Sequence, residues 1–180
     1  MGNEINLMKN YPKSKRDIKS RGNSKTQIDR KIAREFGKEF FDGNRSQGYG
    51  GFNYDPKYWK EVIQDFQKHF NLSSKDSILD VGCAKGFMIF DFERLIPGIS
   101  VRGVDISNYA IENAKSEVRK KCSVANAMKL PFADNSFDIV ISITTLHNLE
   151  IEDLKVSLNE IQRVSKRGSF ITLDAYRNEE

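Results

Sequence analysis

One stretch decides the fold: Ile78-Leu79-Asp80-Val81-Gly82-Cys83-Ala84-Lys85-Gly86-Phe87, an apolar run that breaks into small residues. The pattern predicts a buried strand, a tight turn and the start of a helix. Small residues at positions 82, 84 and 86 let the backbone approach a ligand where a side chain would collide. Asp80 falls at the strand end, where a carboxylate can meet a ligand cation or hydroxyl. Because position 87 is Phe, the spacing differs from the Gly-x-Gly-x-x-Gly of a dinucleotide-binding turn.

From Ser77 onward, short apolar strands alternate with amphipathic helices. Strands are predicted at Ser77–Val81, Val101–Asp105, Cys122–Asn126, Phe137–Ile143 and Ser169–Asp174. Helices are predicted from Gly86 to about Ile96, after a cap at Ser107, and over Glu152–Ser165. This alternation predicts an α/β domain with a doubly wound parallel sheet over residues 74–180.

The first 73 residues are organised differently. Residues 1–25 are polar and basic, and we expect a largely disordered arm there. Residues 26–73 are predicted to hold two helices, one beginning at Thr26 with an apolar residue every fourth position as far as Phe40, and one over Pro56–Phe70. Between them lies a glycine-punctuated loop with three aromatics, Asp42–Tyr54.

Composition narrows the class of protein. A chain of 180 residues with 38% apolar and 30% charged residues is expected to be one soluble globular domain. No apolar run approaches the roughly 20 residues that span a bilayer, and the first ten residues lack the apolar block of a secretory signal, so we expect a cytoplasmic protein. The two cysteines, Cys83 and Cys122, have no metal-ligand spacing, and no metal is predicted.

The net charge of +4 is unevenly distributed. Residues 1–45 carry 12 Lys and Arg against 6 Asp and Glu, whereas the remainder carries 17 against 19. Such a basic arm could contact nucleic acid or an anionic surface. A solvated tail is the favoured interpretation, because the basic residues lack the interleaved aromatics of a nucleic-acid-binding segment.

The carboxyl ends of the predicted strands carry polar residues on one rim of the sheet, which is where open parallel sheets bind ligands. Asp105 follows Asp80 by 25 residues, at a position where an acidic residue would accept hydrogen bonds from both hydroxyls of a ribose. The alternative is that Asp105 only caps the following helix. The glycine turn beside it favours the ribose.

Three motifs in order carry a resemblance to a known family: Ile78–Gly86, Gly103-Val104-Asp105-Ile106-Ser107, and Leu130-Pro131-Phe132-Ala133-Asp134-Asn135-Ser136-Phe137-Asp138. Over residues 74–176 the chain resembles the class I S-adenosylmethionine-dependent methyltransferases, in the small-molecule branch that includes quinone-biosynthesis enzymes. The resemblance implies a Rossmann-like sheet of five strands in the order 3-2-1-4-5. The family's final antiparallel strand pair is expected to be missing, because the sequence ends after strand five.

The resemblance also implies a cofactor site for S-adenosylmethionine, which would leave as S-adenosylhomocysteine. Asp105 would bind the ribose and Ile106 would pack on the adenine, while Asn126 and Ala127 stand where an Asp usually meets the adenine amino group. The remaining implied contacts, around the methionine portion and the turn, are Tyr49, Asp80, Gly82, Cys83, Ala84, Gly86, Ser142 and Ile143.

Methyl transfer requires mainly in-line positioning of the acceptor. An oxygen acceptor must also lose a proton, and His147 is predicted as its general base, or as a residue that lines the pocket or bonds locally. Asp174 and Tyr176 are predicted at the acceptor site. Tyr49, Phe52 and Tyr54 could face a sulfonium or pack on the core.

The sequence lacks the Asn-Pro-Pro-Tyr and Pro-Cys elements of enzymes that methylate nucleic-acid bases, so we expect a small acceptor such as a sugar, a lipid or a quinone-like molecule. Nucleic acid is not the expected partner. The alternatives are a non-catalytic S-adenosylmethionine-binding subunit or sensor, and an RNA-modifying enzyme that uses the basic arm. Because strand five would be an uncovered edge, there are two alternatives: the native chain is longer than this sequence, or a partner such as a second copy in a homodimer covers the edge.

Overall fold

A computed structural model of the protein describes residues 3–13 and 25–173, and a five-stranded parallel sheet forms its centre. The strands are β1 (Ser77–Val81), β2 (Ser100–Asp105), β3 (Cys122–Val124), β4 (Phe137–Ile143) and β5 (Ser165–Thr172). They lie in the order β3-β2-β1-β4-β5, which confirms the predicted Rossmann-like arrangement. Successive strands are added on one side of β1 as far as β3 and on the other side from β4 onward, and this switch point between β1 and β4 is where such sheets bind ligands.

Six α-helices accompany the sheet in the described part of the chain. They are α1 (Gln27–Arg34), α2 (Lys38–Asp42), α3 (Lys60–Phe70), α4 (Phe87–Leu95), α5 (Asn108–Glu112) and α6 (Ile151–Val164). α6 runs into β5 without a linker, since Val164 ends the helix and Ser165 begins the strand.

Alternate residues of the central strands fill two separate cores. Ile78 of β1 pairs with Ile139 of β4, and both belong to the core under α3 and α4. The next pair, Leu79 and Val140, belongs to the opposite core, which α6 covers. Both faces are therefore buried, and this explains why the central strands are almost continuously apolar.

The element boundaries differ from the prediction at several points. The helix predicted from Thr26 through Phe40 is two helices, because Phe36 has a φ of 48° and ends the first one before Gly37. α3 begins at Lys60 rather than Pro56, and β3 is shorter than predicted. β5 begins four residues earlier than predicted, at Ser165.

The expectation of a disordered N-terminal arm is wrong for residues 3–13. Leu7 is only 8% exposed and joins the core under α3 and α4. The ring of Tyr11 lies 5.4 Å from that of Tyr58 and 5.1 Å from that of Trp59. Ile5, Leu7, Met8 and Tyr11 all pack in or against this core, so four apolar residues fix an otherwise polar segment to the rest of the protein. The rest of the predicted arm, apart from residue 25, lies outside the described residues.

None of the helices within the described ranges is long and apolar enough to cross a membrane.

Candidate cofactor site

Two adjoining cavities lie at the carboxyl ends of the strands, with volumes of about 270 and 130 Å³. They share Tyr49, Gly82, Ala84, Ile143 and Thr144 in their walls. Most of the predicted cofactor residues line them: Asp80 and Cys83 line the larger cavity, and Asp105, Ile106, Asn126 and Ala127 line the smaller one. The structure thus brings together residues from four strand ends and one distant loop.

The turn after β1 is shaped by its glycines. Gly82 has a φ of 88°, and a Cβ there would lie 2.0 Å from Thr145 Oγ1. The N–H groups of Gly82 and Cys83 both donate to the carbonyl of Val104, at 2.7 and 3.0 Å. Gly86 does not line either cavity; a Cβ on it would lie 3.1 Å from the thiol of Cys122. Gly86 therefore lets the turn pack on β3 rather than contacting a ligand directly.

Asp105 is held by backbone groups of the rim. Its Oδ2 accepts a hydrogen bond from the Ala84 N–H at 2.8 Å, and its Oδ1 accepts one from the Ser107 N–H at 2.9 Å. The N-cap of α5 is Ser107, whose hydroxyl accepts from the Ala110 N–H, so Asp105 is not the cap. Burial raises the pKa of Asp105 although both hydrogen bonds oppose the shift. A carboxylate oxygen accepts more than one hydrogen bond, which leaves capacity for ligand hydroxyls.

Asp80 is a buried carboxylate that faces the larger cavity. Its exposed fraction is 5%, and it makes no hydrogen bond or ion pair with any described residue. Burial, with a smaller contribution from the charge of Asp105, raises the pKa of Asp80 to about 7. An uncompensated buried carboxylate is costly, and a cation beside it would remove much of that cost. Asp80 therefore suits a positively charged ligand group.

The smaller cavity has an apolar rim that suits a flat ring. Ile106 is 55% exposed, an unusual position for a large aliphatic side chain directly after a buried strand. Asn126 Oδ1 accepts from the Met128 N–H at 2.9 Å, and its second lone pair and the amide nitrogen remain to bond a ligand.

Tyr49 stands at the boundary of the two cavities. Its ring lies 4.4 Å from that of Phe52 and 5.9 Å from that of Phe41. Burial and the nearby Asp105 carboxylate raise the pKa of Tyr49. Tyr54, the third aromatic of this loop, does not line either cavity; its hydroxyl donates to Asp91 at 2.7 Å, and its role is structural.

An ion pair between Asp42 and Lys85, which was not predicted from the sequence, fixes this loop. The Nζ of Lys85 lies 2.6 Å from Asp42 Oδ2, and Tyr109 donates to the same oxygen at 2.6 Å. The other carboxylate oxygen accepts from the Phe52 N–H at 3.0 Å. Burial opposes ionisation here, but these donors lower the pKa of Asp42 to about 2. The available signal was Lys85 itself, a charged residue within a turn of small ones.

Other predicted site residues are not brought to the cavities. Ser142 is fully buried and its hydroxyl donates to the Val81 carbonyl at 2.9 Å, so its side chain supports the sheet. His147 is exposed on a short 3₁₀ turn and lines neither cavity, so the structure does not bring the predicted general base to them. Asp174 and Tyr176 lie outside the described residues. Within the described residues no cluster of metal-ligating side chains occurs.

Comparison with known proteins agrees with this geometry. Residues 79–173 match the family model described as a methyltransferase domain. The chain is 31% identical over 152 residues to the demethylmenaquinone methyltransferase of Symbiobacterium thermophilum, covering 78% of this chain and 59% of that protein. It is 34% identical over 103 residues to an O-methyltransferase of Aspergillus nomiae, covering 53% and 44%. Among solved structures it is similar to the MccD protein, with a TM-score of 0.58, 29% identity, and coverage of 71% of this chain and 58% of that one.

A Rossmann-like sheet with a glycine turn and two acidic strand ends defines the class I S-adenosylmethionine-dependent methyltransferases. The chain belongs to this methyltransferase family, because the family model matches more than half of it. The chain spans about half the length of the curated relatives that it matches, between 38% and 59% for three of them.

Proposed function

We propose that the protein transfers a methyl group from S-adenosylmethionine to a small organic acceptor. The observation that carries this proposal is a pair of carboxylates, the buried Asp80 and the half-buried Asp105, on either side of a turn that only glycine can make at position 82. The turn spacing argues against a dinucleotide. The curated relatives whose names mention quinone and O-methylation support a small acceptor.

The residues of the two cavities fit the cofactor. Asp80 would hold the cationic methionine portion, Asp105 would accept hydrogen bonds from the ribose hydroxyls, and the exposed face of Ile106 would cover the adenine. Asn126 would bond the adenine through its side-chain amide. Tyr49 would close over the junction between the two halves. When bound, S-adenosylmethionine supplies a methyl group activated by its sulfonium and departs as S-adenosylhomocysteine.

The protein's contribution to the reaction would be positioning. Holding two reactants in line is worth on the order of 7–11 kcal/mol when the geometry is right. With His147 away from the cavities, no histidine of the described chain faces them. We retain Asp174 and Tyr176 as proposed acceptor-side residues, since they follow β5, and Thr172 at its end lines the larger cavity.

The test is calorimetric titration with S-adenosylmethionine, S-adenosylhomocysteine and NAD. We expect the first two to bind and NAD not to bind. An Asp105→Ala variant should lose at least tenfold in affinity, because a hydrogen bond to a charged group is worth about 1.5–3 kcal/mol. The matched control is Glu112→Ala, which removes an exposed carboxylate outside both cavities.

Incubation with labelled S-adenosylmethionine and a panel of small acceptors then separates an enzyme from a binding module. Transfer to any acceptor supports the enzyme. Tight cofactor binding without transfer to sugars, lipids, quinones or RNA would support the alternative, a non-catalytic S-adenosylmethionine-binding subunit or sensor.

We also propose that a second copy pairs with β5, whose outer edge has no strand partner among the described residues. Light scattering at several protein concentrations tests this, and a monomer at all of them would contradict it.

A further inference from the structure

A third cavity, of about 460 Å³, adjoins the larger cofactor cavity. The two share aromatic walls, Tyr11, Tyr49, Phe52, Trp59 and Phe87. It is the largest of the three, and Asp105, which lines only the smallest cavity, is not part of its wall. We call it the aromatic groove.

The walls of the aromatic groove are flat rings in two contacting sets. In one set the Tyr11 ring lies 5.4 Å from Tyr58 and 5.1 Å from Trp59. In the other, the Phe52 ring lies 4.4 Å from Tyr49 and 5.1 Å from Phe87, the latter nearly parallel at 20°. Rings gain most from a partner that can stack or meet them edge-on, so these walls suit a planar apolar molecule.

The rim of the groove is cationic. Lys13, Arg45 and Lys57 line it against a single carboxylate, Asp55. Asp55 is already paired with Lys57, at 2.5 Å. The net charge that remains belongs to Arg45 and Lys13.

Arg45 is held in place for a ligand. One of its terminal nitrogens, Nη1, donates to the carbonyls of Gly48, at 2.7 Å, and Tyr49. A Cβ at Gly50 would lie 2.7 Å from Arg45 Cδ, so the backbone of the loop packs directly on the stem of the side chain. No carboxylate of the described residues pairs with the guanidinium, and its other nitrogens make no bond among them. A guanidinium of this kind recognises a carboxylate or phosphate through two parallel hydrogen bonds.

We propose that the aromatic groove binds the methyl acceptor, and that the acceptor is a planar, largely apolar molecule with a carboxylate or phosphate group that pairs with Arg45. Its identification as the acceptor rests on the proposed function; the binding preference itself does not. The planar body would lie among the rings between Arg45 and the cofactor cavity. The anionic group would supply the negatively charged partner that no carboxylate of the described residues gives to Arg45.

The probes are 4-hydroxybenzoate, phenyl phosphate and the neutral 4-hydroxybenzamide. Trp59 is the only tryptophan of the chain and lines both the groove and the larger cofactor cavity, so with S-adenosylhomocysteine bound in that cavity its fluorescence reports binding in the groove. In the presence of S-adenosylhomocysteine we expect at least one anion to bind tenfold or more tighter than the amide, equivalent to about 1.4 kcal/mol. The two anions distinguish a carboxylate from a phosphate ligand. Equal binding of all three probes, or no binding of any, would overturn the proposal.

Variants connect the preference to Arg45. Arg45→Gln should abolish the preference of anion over amide, and Arg45→Lys should keep part of it, because lysine retains the charge without the planar fork. Lys75→Gln is the control for net charge, since Lys75 is exposed just before the opposite end of β1, and it should keep the full preference. An unchanged preference in Arg45→Gln would contradict the role of Arg45.

Two further measurements keep this test independent of folding and of the proposed function. Arg45 also supports the Tyr49 loop, so the thermal midpoint and the affinity for S-adenosylhomocysteine are measured for each variant. If Arg45→Gln is unfolded, the wild-type preference is measured against salt instead, and only an anion held by a charge should weaken steeply. Anion preference without cofactor binding would refute the methyltransferase proposal and keep the groove. Cofactor binding without the preference would refute the groove alone.

Discussion

Two regions border the same cleft and are held in place by different means. The strand-end rim, residues 80–86 and 103–107, is fixed by backbone hydrogen bonds to neighbouring strands and by the space that glycine leaves. The glycine-aromatic loop, residues 42–54, is fixed by side chains, with Asp42 bonding Lys85, Tyr109 and the backbone of Phe52. The conformation of the rim therefore depends on the absence of a side chain at its glycines, whereas the conformation of the loop depends on one ion pair.

The rim should be most sensitive to an added methyl group. Gly82→Ala places a Cβ 2.0 Å from Thr145 Oγ1 at a φ of 88°. Steric overlap and a strained backbone together should lower the free energy of unfolding by about 3–5 kcal/mol, measured by urea denaturation. The control is Gly37→Ala, where a Cβ meets no atom within 4 Å. Equal stability of the two variants would show that the turn at Gly82 can shift to accommodate a Cβ at little cost.

The buried carboxylate of the rim makes stability depend on pH. The pKa of Asp80 is raised to about 7 by burial, so between about pH 4 and 7 the folded state holds a proton that the unfolded state has lost. The free energy of unfolding therefore falls as pH rises through this window. The wild type should lose on the order of 3 kcal/mol of its free energy of unfolding by pH 8, and the Asp80→Asn variant should not show this loss.

Asp105, whose pKa is also raised, contributes a loss in the same direction, so the Asp80 effect is read as the difference between the two pH profiles. Parallel profiles for wild type and Asp80→Asn would contradict the assignment. A cation bound beside Asp80 should release its proton, which calorimetry in buffers of different ionisation enthalpy detects.

The glycine-aromatic loop should be destabilised when Lys85 loses Asp42, its ion-pair partner. Asp42→Ala leaves a lysine whose side chain is 8% exposed without an anion, and should cost about 2–3 kcal/mol. Lys85→Met should cost less, because Asp42 is 26% exposed and keeps two other donors. A double-mutant cycle gives the coupling; additive losses would show that the pair does not hold the loop. Because the pKa of Asp42 is lowered to about 2, its contribution should disappear as pH falls from 4 towards 2.

The smallest predicted effect is on cofactor affinity, when the ring of Tyr49 is removed. Tyr49→Ala should weaken S-adenosylhomocysteine binding by about 1 kcal/mol, roughly fivefold, since Tyr49 borders both cofactor cavities. Tyr58→Ala is the matched control, because Tyr58 lines only the aromatic groove. Equal losses of affinity in both variants would show that the cofactor cavities and the aromatic groove are not separate binding regions.

The same contrast explains what could be predicted from the sequence. β1, β4 and the positions of Asp80 and Asp105 follow from patterns a few residues long, because a buried strand and a glycine turn are local features. The Asp42–Lys85 pair joins residues 43 apart, and no local pattern connects them.

The remaining errors have similar causes. His147 was placed on the correct segment, but the short 3₁₀ turn that carries it directs the side chain to solvent. Phe36 fits the apolar period of the first helix, and only its left-handed backbone, at a φ of 48°, shows that the helix has ended. Leu7 lies in a segment too short and polar to reveal that it packs on the core.

The direct passage from α6 into β5 has a consequence for how this chain can change in length. With Val164 in the helix and Ser165 in the strand, no residue between them can absorb an insertion. One added residue would rotate the helix by about 100° or turn every side chain of the strand to the other face of the sheet. Natural variation in length should therefore be found in the loops at the rim and never at this joint.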